Sequence, residues 1–276
     1  MIPLHFSHAN GFPAACYRKM FSFLEPEFRI GYINTLGHDP RFPVSDNWPH
    51  LVDELIETLS RRYREPVVGV GHSLGGYLTV LAALERPDLF RAVIVLDSPI
   101  FGTFTGAALG MVKRFSFMDR VTPAGATRGR RSEWASSEEA FRHFQGRKTF
   151  RNFDPDCLRD YVTLGMVPCA GGIRLAFDPA IEARIYRALP HGLVRRLPRL
   201  AVPAGFICGR ESEEMRRVGL ADARKFFHLV RIPGGHLFPF ERPEAAARAI
   251  RDMAAELMRR ASPRAPARAS GALPVE

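Results

Sequence analysis

The stretch Pro66-Val67-Val68-Gly69-Val70-Gly71-His72-Ser73-Leu74-Gly75-Gly76-Tyr77-Leu78 decides how the rest of the chain reads. Residues 66–70 form a short apolar run rich in valine, the pattern of a buried strand, and 74–84 form an apolar run of helical length. The intervening residues must therefore turn a strand into a helix. A Gly-x-Ser-x-Gly pattern alone is weak, because ordinary glycine turns produce it. Between a strand and a helix it has a physical meaning: the tight turn forces Ser73 into a strained backbone conformation, and only small neighbours such as Gly71 and Gly75 let the backbone pass that closely. The Ser73 hydroxyl is then held at the carboxyl end of a sheet, and the Leu74 amide opens into the same space at a helix N-terminus. The bland alternative is a serine capping an ordinary helix.

Outward from this turn the same rhythm repeats. Strands are expected at 2–7, 28–33, 91–96, 204–208 and 228–232, and helices at 14–24, 49–62, 215–227 and 242–258. In 49–62, Leu51, Val52, Leu55, Ile56 and Leu59 mark one helical face. Apolar strands alternating with helices predict an α/β fold, a mainly parallel, doubly wound sheet covered on both faces. The rhythm lapses from about 100 to 198, where no buried strand is evident. The expected organisation is a core of 1–99 and 199–258, a helical cap inserted at 100–198, and a disordered tail at 259–276.

Composition sets the outer bounds. Of 276 residues, 46% are hydrophobic and 25% charged, enough for a core and too apolar for wholesale disorder. The longest strongly apolar run, 92–96, is far short of the roughly 20 residues of a membrane span. Met1 to Phe6 has neither a basic region nor a long apolar one, so a cytoplasmic protein is expected. Cys16, Cys157, Cys169 and Cys208 lie far apart and read as reduced thiols. The net charge of +10 is local: 111–151 holds ten basic against four acidic residues, and 259–276 four arginines against one glutamate. Four scattered arginines make no nucleic-acid motif, so no nucleic-acid partner is expected. Neither a phosphate loop nor a dinucleotide glycine pattern occurs, and no cofactor is expected. His5 and His8, three apart on a strand, face opposite ways and suggest no metal site.

Ser73 needs a base. His236, in Ile232-Pro233-Gly234-Gly235-His236-Leu237-Phe238-Pro239, follows the last expected strand, and a flexible Gly-Gly loop can carry its imidazole over the sheet's carboxyl edge. His72 lies on the other side of the turn; His8, His38 and His50 read as loop or cap residues, and His5 as structural.

With these residues assembled, the chain resembles the α/β-hydrolase superfamily. The likeness rests on 71–76, on Pro-Gly-Gly-His at 233–236, on His8-Ala9-Asn10-Gly11-Phe12-Pro13, and on Gly37-His38-Asp39-Pro40; it covers about 2–100 and 200–258. It implies about six strands, the family's first two being absent. It implies that Ser73 attacks a carbonyl, that His236 takes its proton, and that the oxyanion meets the Leu74 amide and one from the 8–12 loop. By position that amide is Asn10, with Ala9 or Phe12 as alternatives. The family's common acid position, three residues beyond the glycine that ends the penultimate strand, falls here on Ser212, which cannot stabilise an imidazolium by charge. The acid is then Asp97, at the end of strand 91–96, or Glu213 or Glu214. Serine rather than aspartate at the turn argues against epoxide-hydrolase and dehalogenase chemistry.

The resemblance implies a serine hydrolase acting on a small to medium apolar ester. Thioester hydrolysis, acyl transfer or C–C hydrolysis on the same residues is the alternative, and a non-catalytic small-molecule-binding protein is the alternative of another class. Phe101, Phe104, Phe115, Phe117, Phe141, Phe144, Phe150, Phe153, Phe177 and Trp134 offer aromatic surface, most of it expected to pack the cap and the surplus to line the pocket. The basic residues Lys113, Arg114, Arg128, Arg130, Arg131, Arg147, Lys148 and Arg151 could favour an anionic group, though a solvated face explains them as well.

Overall fold

The computed structural model describes residues 1–100, 102 and 124–261. Six parallel strands make the main sheet: β1 (Ile2–Ser7), β2 (Phe28–Tyr32), β3 (Val67–His72), β4 (Phe90–Leu96), and, after the segment that holds β5 to β7, β8 (Ala204–Gly209) and β9 (His228–Ile232). Their order is β2-β1-β3-β4-β8-β9, all pairs parallel. The expected six-stranded parallel sheet is therefore present. In β4 the side-chain alternation sends Ala92, Ile94 and Leu96 to one apolar cluster and Val93 and Val95 to the other. A strand buried on both faces has no polar face to show, which is why it reads as an unbroken apolar run.

The main unit contains α1 (Arg18–Ser22), α2 (Pro49–Arg62) and α3 (Leu74–Glu85), and near its end the short α11 (Phe238–Glu241) leads into the last helix. One face of the sheet carries α1 and the last helix, α12 (Pro243–Ala261), through Met20, Phe21, Ala246, Ile250, Met253 and Leu257; the other carries α2 and α3 through Leu51, Leu55, Leu78 and Leu81. Residues 259–261, expected in the tail, are instead the last turn of α12; the remainder of the tail lies outside the described residues. The expected helix at 14–24 opens as a 3-10 turn, Ala14–Tyr17, before α1. The expected helix at 215–227 divides at Gly219, at φ +82°, into α9 (Glu213–Val218) and α10 (Ala221–Phe226).

Between β4 and β8 lie α4 (Ala124–Arg128), α5 (Ser137–Gln145), α6 (Pro155–Leu164), α7 (Pro179–Arg187) and α8 (Leu193–Arg196). They are joined by a feature absent from the sequence reading, a small antiparallel sheet of β5 (Glu133–Trp134), β7 (Gly172–Leu175) and β6 (Met166–Cys169) in that spatial order. These strands are only two to four residues long and mix buried with exposed positions, so they carry no apolar run to betray them. Trp134, Phe144, Phe150, Phe153 and Phe177 are buried in the core clusters. Phe101, Phe104, Phe115 and Phe117 lie outside the described residues, as do Lys113 and Arg114. No described helix is long and apolar enough to cross a membrane.

Candidate active site

The turn between β3 and α3 has the strain its sequence demands. Ser73 sits at φ +52° and ψ −112°, a region costly for any residue with a side chain. Its amide donates to Leu96 O (2.9 Å) and its carbonyl accepts from Ser98 Oγ (2.7 Å), so the end of β4 holds the turn at two points. The flanking glycines are required by contact. A Cβ on Gly75 would stand 2.0 Å from the Ser7 carbonyl oxygen on β1, and one on Gly71 would stand 2.2 Å from Gly75 O. Neither neighbour can yield, since both are backbone. Gly75→Ala is expected to destabilise the fold by about 3 kcal/mol or more, as an overpacked core site does, seen as a lowered urea midpoint.

Three side chains meet above this turn. His236 Nε2 lies 3.1 Å from Ser73 Oγ, and His236 Nδ1 lies 2.9 Å from Asp97 Oδ1. With Nδ1 protonated, it donates to the carboxylate and leaves Nε2 to accept from the Ser73 hydroxyl. Asp97 is fully buried, at φ +44° just beyond β4, and both its oxygens are engaged: Oδ2 accepts from Gly209 N (2.7 Å) and Oδ1 also from Ser212 Oγ (2.6 Å). Ser212 thus stands at the family's usual acid position as a hydrogen-bond donor to a carboxylate supplied from another strand. The other two acid candidates are placed differently. Glu213 is exposed and pairs with Arg216 and Arg217 on its own helix, while Glu214 is half-buried beside the site and reaches only Ser212 Oγ, at 3.5 Å.

Burial acts to lower the His236 pKa, but the hydrogen bond to Asp97, the Asp97 charge and the charges of Glu214 and Glu241 outweigh it and hold the imidazole above its ordinary 6.5. An imidazolium cannot accept from Ser73. Turnover that depends on His236 should therefore rise with pH along a limb centred above 6.5, and removing the Asp97 charge should move that limb downward; a kcat/KM profile from about pH 5 to 9 checks both. Asp97, Glu214 and His236 also bring ligand atoms within 4.8 Å of one another. Both Asp97 oxygens and His236 Nδ1 already take part in the hydrogen bonds just described.

Two cavities open at Ser73. One, of about 320 Å3, is mainly apolar, walled by Trp48, Leu74, Tyr77, Ile185, Leu189 and Val218. The other, of about 520 Å3, is lined by more polar residues and carries Glu211, Glu213, Glu214 and Glu241 beside Lys148 and the ion pair of Arg130 with Glu182 (2.5 Å). Asn10, Ser73, Glu214 and His236 border both. Of the described aromatic residues between β4 and β8, only Phe150 and Tyr186 reach either cavity, Tyr186 reaching both; Trp134, Phe141, Phe144, Phe153 and Phe177 belong to the core or pack against it. Two backbone amides at this junction, Leu74 and Asn10, hydrogen-bond to no other described residue. The alternatives on the same loop are engaged: Ala9 N donates to Tyr17 Oη (3.2 Å) and Phe12 N to Ala9 O (3.1 Å).

The family model for alpha/beta hydrolases matches residues 6–249, most of the chain. The chain belongs to the alpha/beta hydrolase family. That membership supports a hydrolase, and a small-molecule substrate is consistent with it. A 2-(acetamidomethylene)succinate hydrolase of Mesorhizobium japonicum is 28% identical over 201 residues, 71% of this chain and 66% of that relative. An sn-1-specific diacylglycerol lipase of Mus musculus is 36% identical over 70 residues, 22% of this chain and 23% of that one. Among solved structures, an E-2-(acetamidomethylene)succinate hydrolase superposes with TM-score 0.73 at 23% identity, covering 92% of this chain and 91% of that one. A thioesterase domain of the curacin biosynthetic pathway gives 0.72 at 16%, covering 91% of each. At these identities the likeness is one of fold.

Several residues of this alpha/beta hydrolase site escaped the sequence reading. Ser212 was visible only as a missing acid. His72 and Tyr17 were not connected, since 55 residues separate them, yet Tyr17 Oη and His72 Nδ1 lie 2.7 Å apart. The loop histidine His8 is buried, its pKa pushed down to about 4 by desolvation; Nδ1 donates to Ala9 O (2.8 Å) and Nε2 accepts from Leu36 N (2.8 Å). His5 is likewise buried and structural, against Tyr63.

Proposed function

We propose that the chain is a serine hydrolase that cleaves a carboxylic ester of a small to medium, largely apolar acyl group through an acyl-enzyme on Ser73. The reading rests on one observation: the hydrogen-bonded line Asp97–His236–Ser73 ends at the mouth of an apolar cavity. His236 Nε2 takes the Ser73 proton as Oγ bonds to the ester carbonyl carbon, and the oxyanion accepts from the amides of Leu74 and Asn10, neither of which has another partner among the described residues. The imidazolium, held by Asp97, gives its proton to the leaving oxygen as the C–O bond breaks. Water then repeats the sequence, losing its proton to His236 and releasing the acid and Ser73.

In this reading 1–99 and 199–258 form the catalytic core, and 100–198 is a cap between two adjacent strands, helical with a small sheet. It contributes Ile185, Tyr186 and Leu189 to the acyl wall. The second cavity receives the leaving group. Its carboxylates disfavour an anionic one, which weighs against coenzyme A thioesters and against the succinate of the similar hydrolase from Mesorhizobium japonicum. Amide and uncharged thioester hydrolysis remain the second reading, since the same atoms serve any activated carbonyl.

A series of p-nitrophenyl esters from acetate to octanoate tests the proposal, with the matching p-nitroanilide and N-acetylcysteamine thioester as rivals. The expected result is a kcat/KM optimum at a short to medium ester and stoichiometric labelling of Ser73 by a fluorophosphonate. No labelling and no turnover would leave a binding protein on a hydrolase fold.

A further inference from the structure

Beneath the site runs a line of buried polar groups that the mechanism above leaves unused. Tyr17, 1% exposed, stands in the 3-10 turn after the 8–13 loop, and His72, fully buried, is the residue just before Ser73. Tyr17 Oη accepts from Ala9 N (3.2 Å) and lies 2.7 Å from His72 Nδ1; His72 Nε2 lies 2.9 Å from the carbonyl oxygen of His236. Burial, aided by the nearby His236, drives the His72 pKa well below 6.5, so its ring is neutral and carries one proton. A carbonyl can only accept, so that proton is on Nε2. Nδ1 is then bare and must accept from the Tyr17 hydroxyl, whose oxygen in turn accepts from the Ala9 amide. Every proton on the line has one possible place.

The line touches three parts of the site at once. One end fixes the backbone of His236. The middle is covalently next to Ser73. The other end fixes the nitrogen of Ala9, whose carbonyl is held by His8 Nδ1 (2.8 Å) and Phe12 N (3.1 Å). That carbonyl and the Asn10 N–H belong to one planar peptide, so pinning the oxygen aims the amide.

We infer that Tyr17 and His72 are positioning residues for hydrolysis: a single proton-ordered relay, touching no substrate, that sets the His236 loop and the Asn10 amide in register with Ser73. This rests on the serine-hydrolase reading. The relay adds nothing to substrate binding; it governs how well base and oxyanion donor meet the transition state, and a misplacement of about 1 Å there costs up to roughly 100-fold.

The test compares the full-length wild type with Tyr17→Phe, His72→Gln and His72→Leu, on the best p-nitrophenyl ester, with rates expressed per site titrated by fluorophosphonate. Tyr17→Phe keeps the ring and its packing but removes both hydrogen bonds. It is expected to lower kcat by roughly 10-fold or more with KM within about 2-fold. Gln can both donate to His236 O and accept from Tyr17, whereas Leu can do neither; Gln is expected to retain at least about 5-fold more kcat per site than Leu. The Tyr17→Phe/His72→Leu double variant should cost little more than the worse single one, because one broken link disables the line. The inference is overturned if Tyr17→Phe keeps kcat per titrated site within about 2-fold of wild type, or if Leu serves as well as Gln, the mark of a space-filling role. A wild type that neither labels nor turns over ester overturns the hydrolase reading and this inference with it; loss confined to the variants cannot be confused with that.

Discussion

Ser73→Ala is expected to reduce kcat/KM by roughly 10³-fold or more, leaving only what cavity and oxyanion amides contribute. The loss is large because the nucleophile is covalently involved and no other hydroxyl is hydrogen-bonded to His236 Nε2 among the described residues. The same position makes a second, opposite prediction for stability. Ser73 holds φ +52°, which glycine adopts without a Cβ penalty, so Ser73→Gly should be inactive yet more stable by about 1 kcal/mol. Activity on the best p-nitrophenyl ester, set beside urea midpoints, measures both. An active Ser73→Ala enzyme would remove the acyl-enzyme.

Asp97→Asn is expected to cost roughly 10²- to 10⁴-fold in kcat, with KM little changed, because an amide cannot stabilise the imidazolium by charge. It should also destabilise the protein by about 1–3 kcal/mol. The carboxylate accepts from His236 Nδ1, Gly209 N and Ser212 Oγ, and an asparagine NH2 facing any of these sets donor against donor. Asn tolerates the left-handed backbone at 97, so the strain itself is no obstacle. Glu213→Gln and Glu214→Gln should each lose less than about 10-fold, Glu213 being exposed and tied to Arg216 and Arg217. If Glu214→Gln were the crippled variant and Asp97→Asn the active one, the acid would be Glu214.

Much of the site was legible because its constraints are local. The glycines around Ser73 announce a close backbone approach, and the Gly-Gly before His236 announces a loop that must fold back. The acid was not legible. Aspartate at a strand end caps turns as readily as it orients an imidazole, and only the seating of β8 beside β4 brings Gly209 and Ser212 onto Asp97. The choice among Asn10, Ala9 and Phe12 was open for the same reason. It turns on which amides find partners, and the partner of Ala9 is Tyr17, eight residues on in an element of its own.

The sequence by itself determined the parallel sheet, the sharp turn at Ser73 and the position of His236 beyond the last strand, since periodicity and glycine spacing act over a few residues. Tertiary structure alone decided that Asp97 meets His236 across 139 residues, that Ser212 serves it, and that Tyr17 and His72 share a buried proton line. It also decided which aromatic residue of the expected surplus, Phe150, reaches a cavity, and that the inserted segment carries a sheet. Pairings of this kind depend on which strand ends and loops lie side by side, and the order of strands in a sheet leaves no periodic mark on the chain.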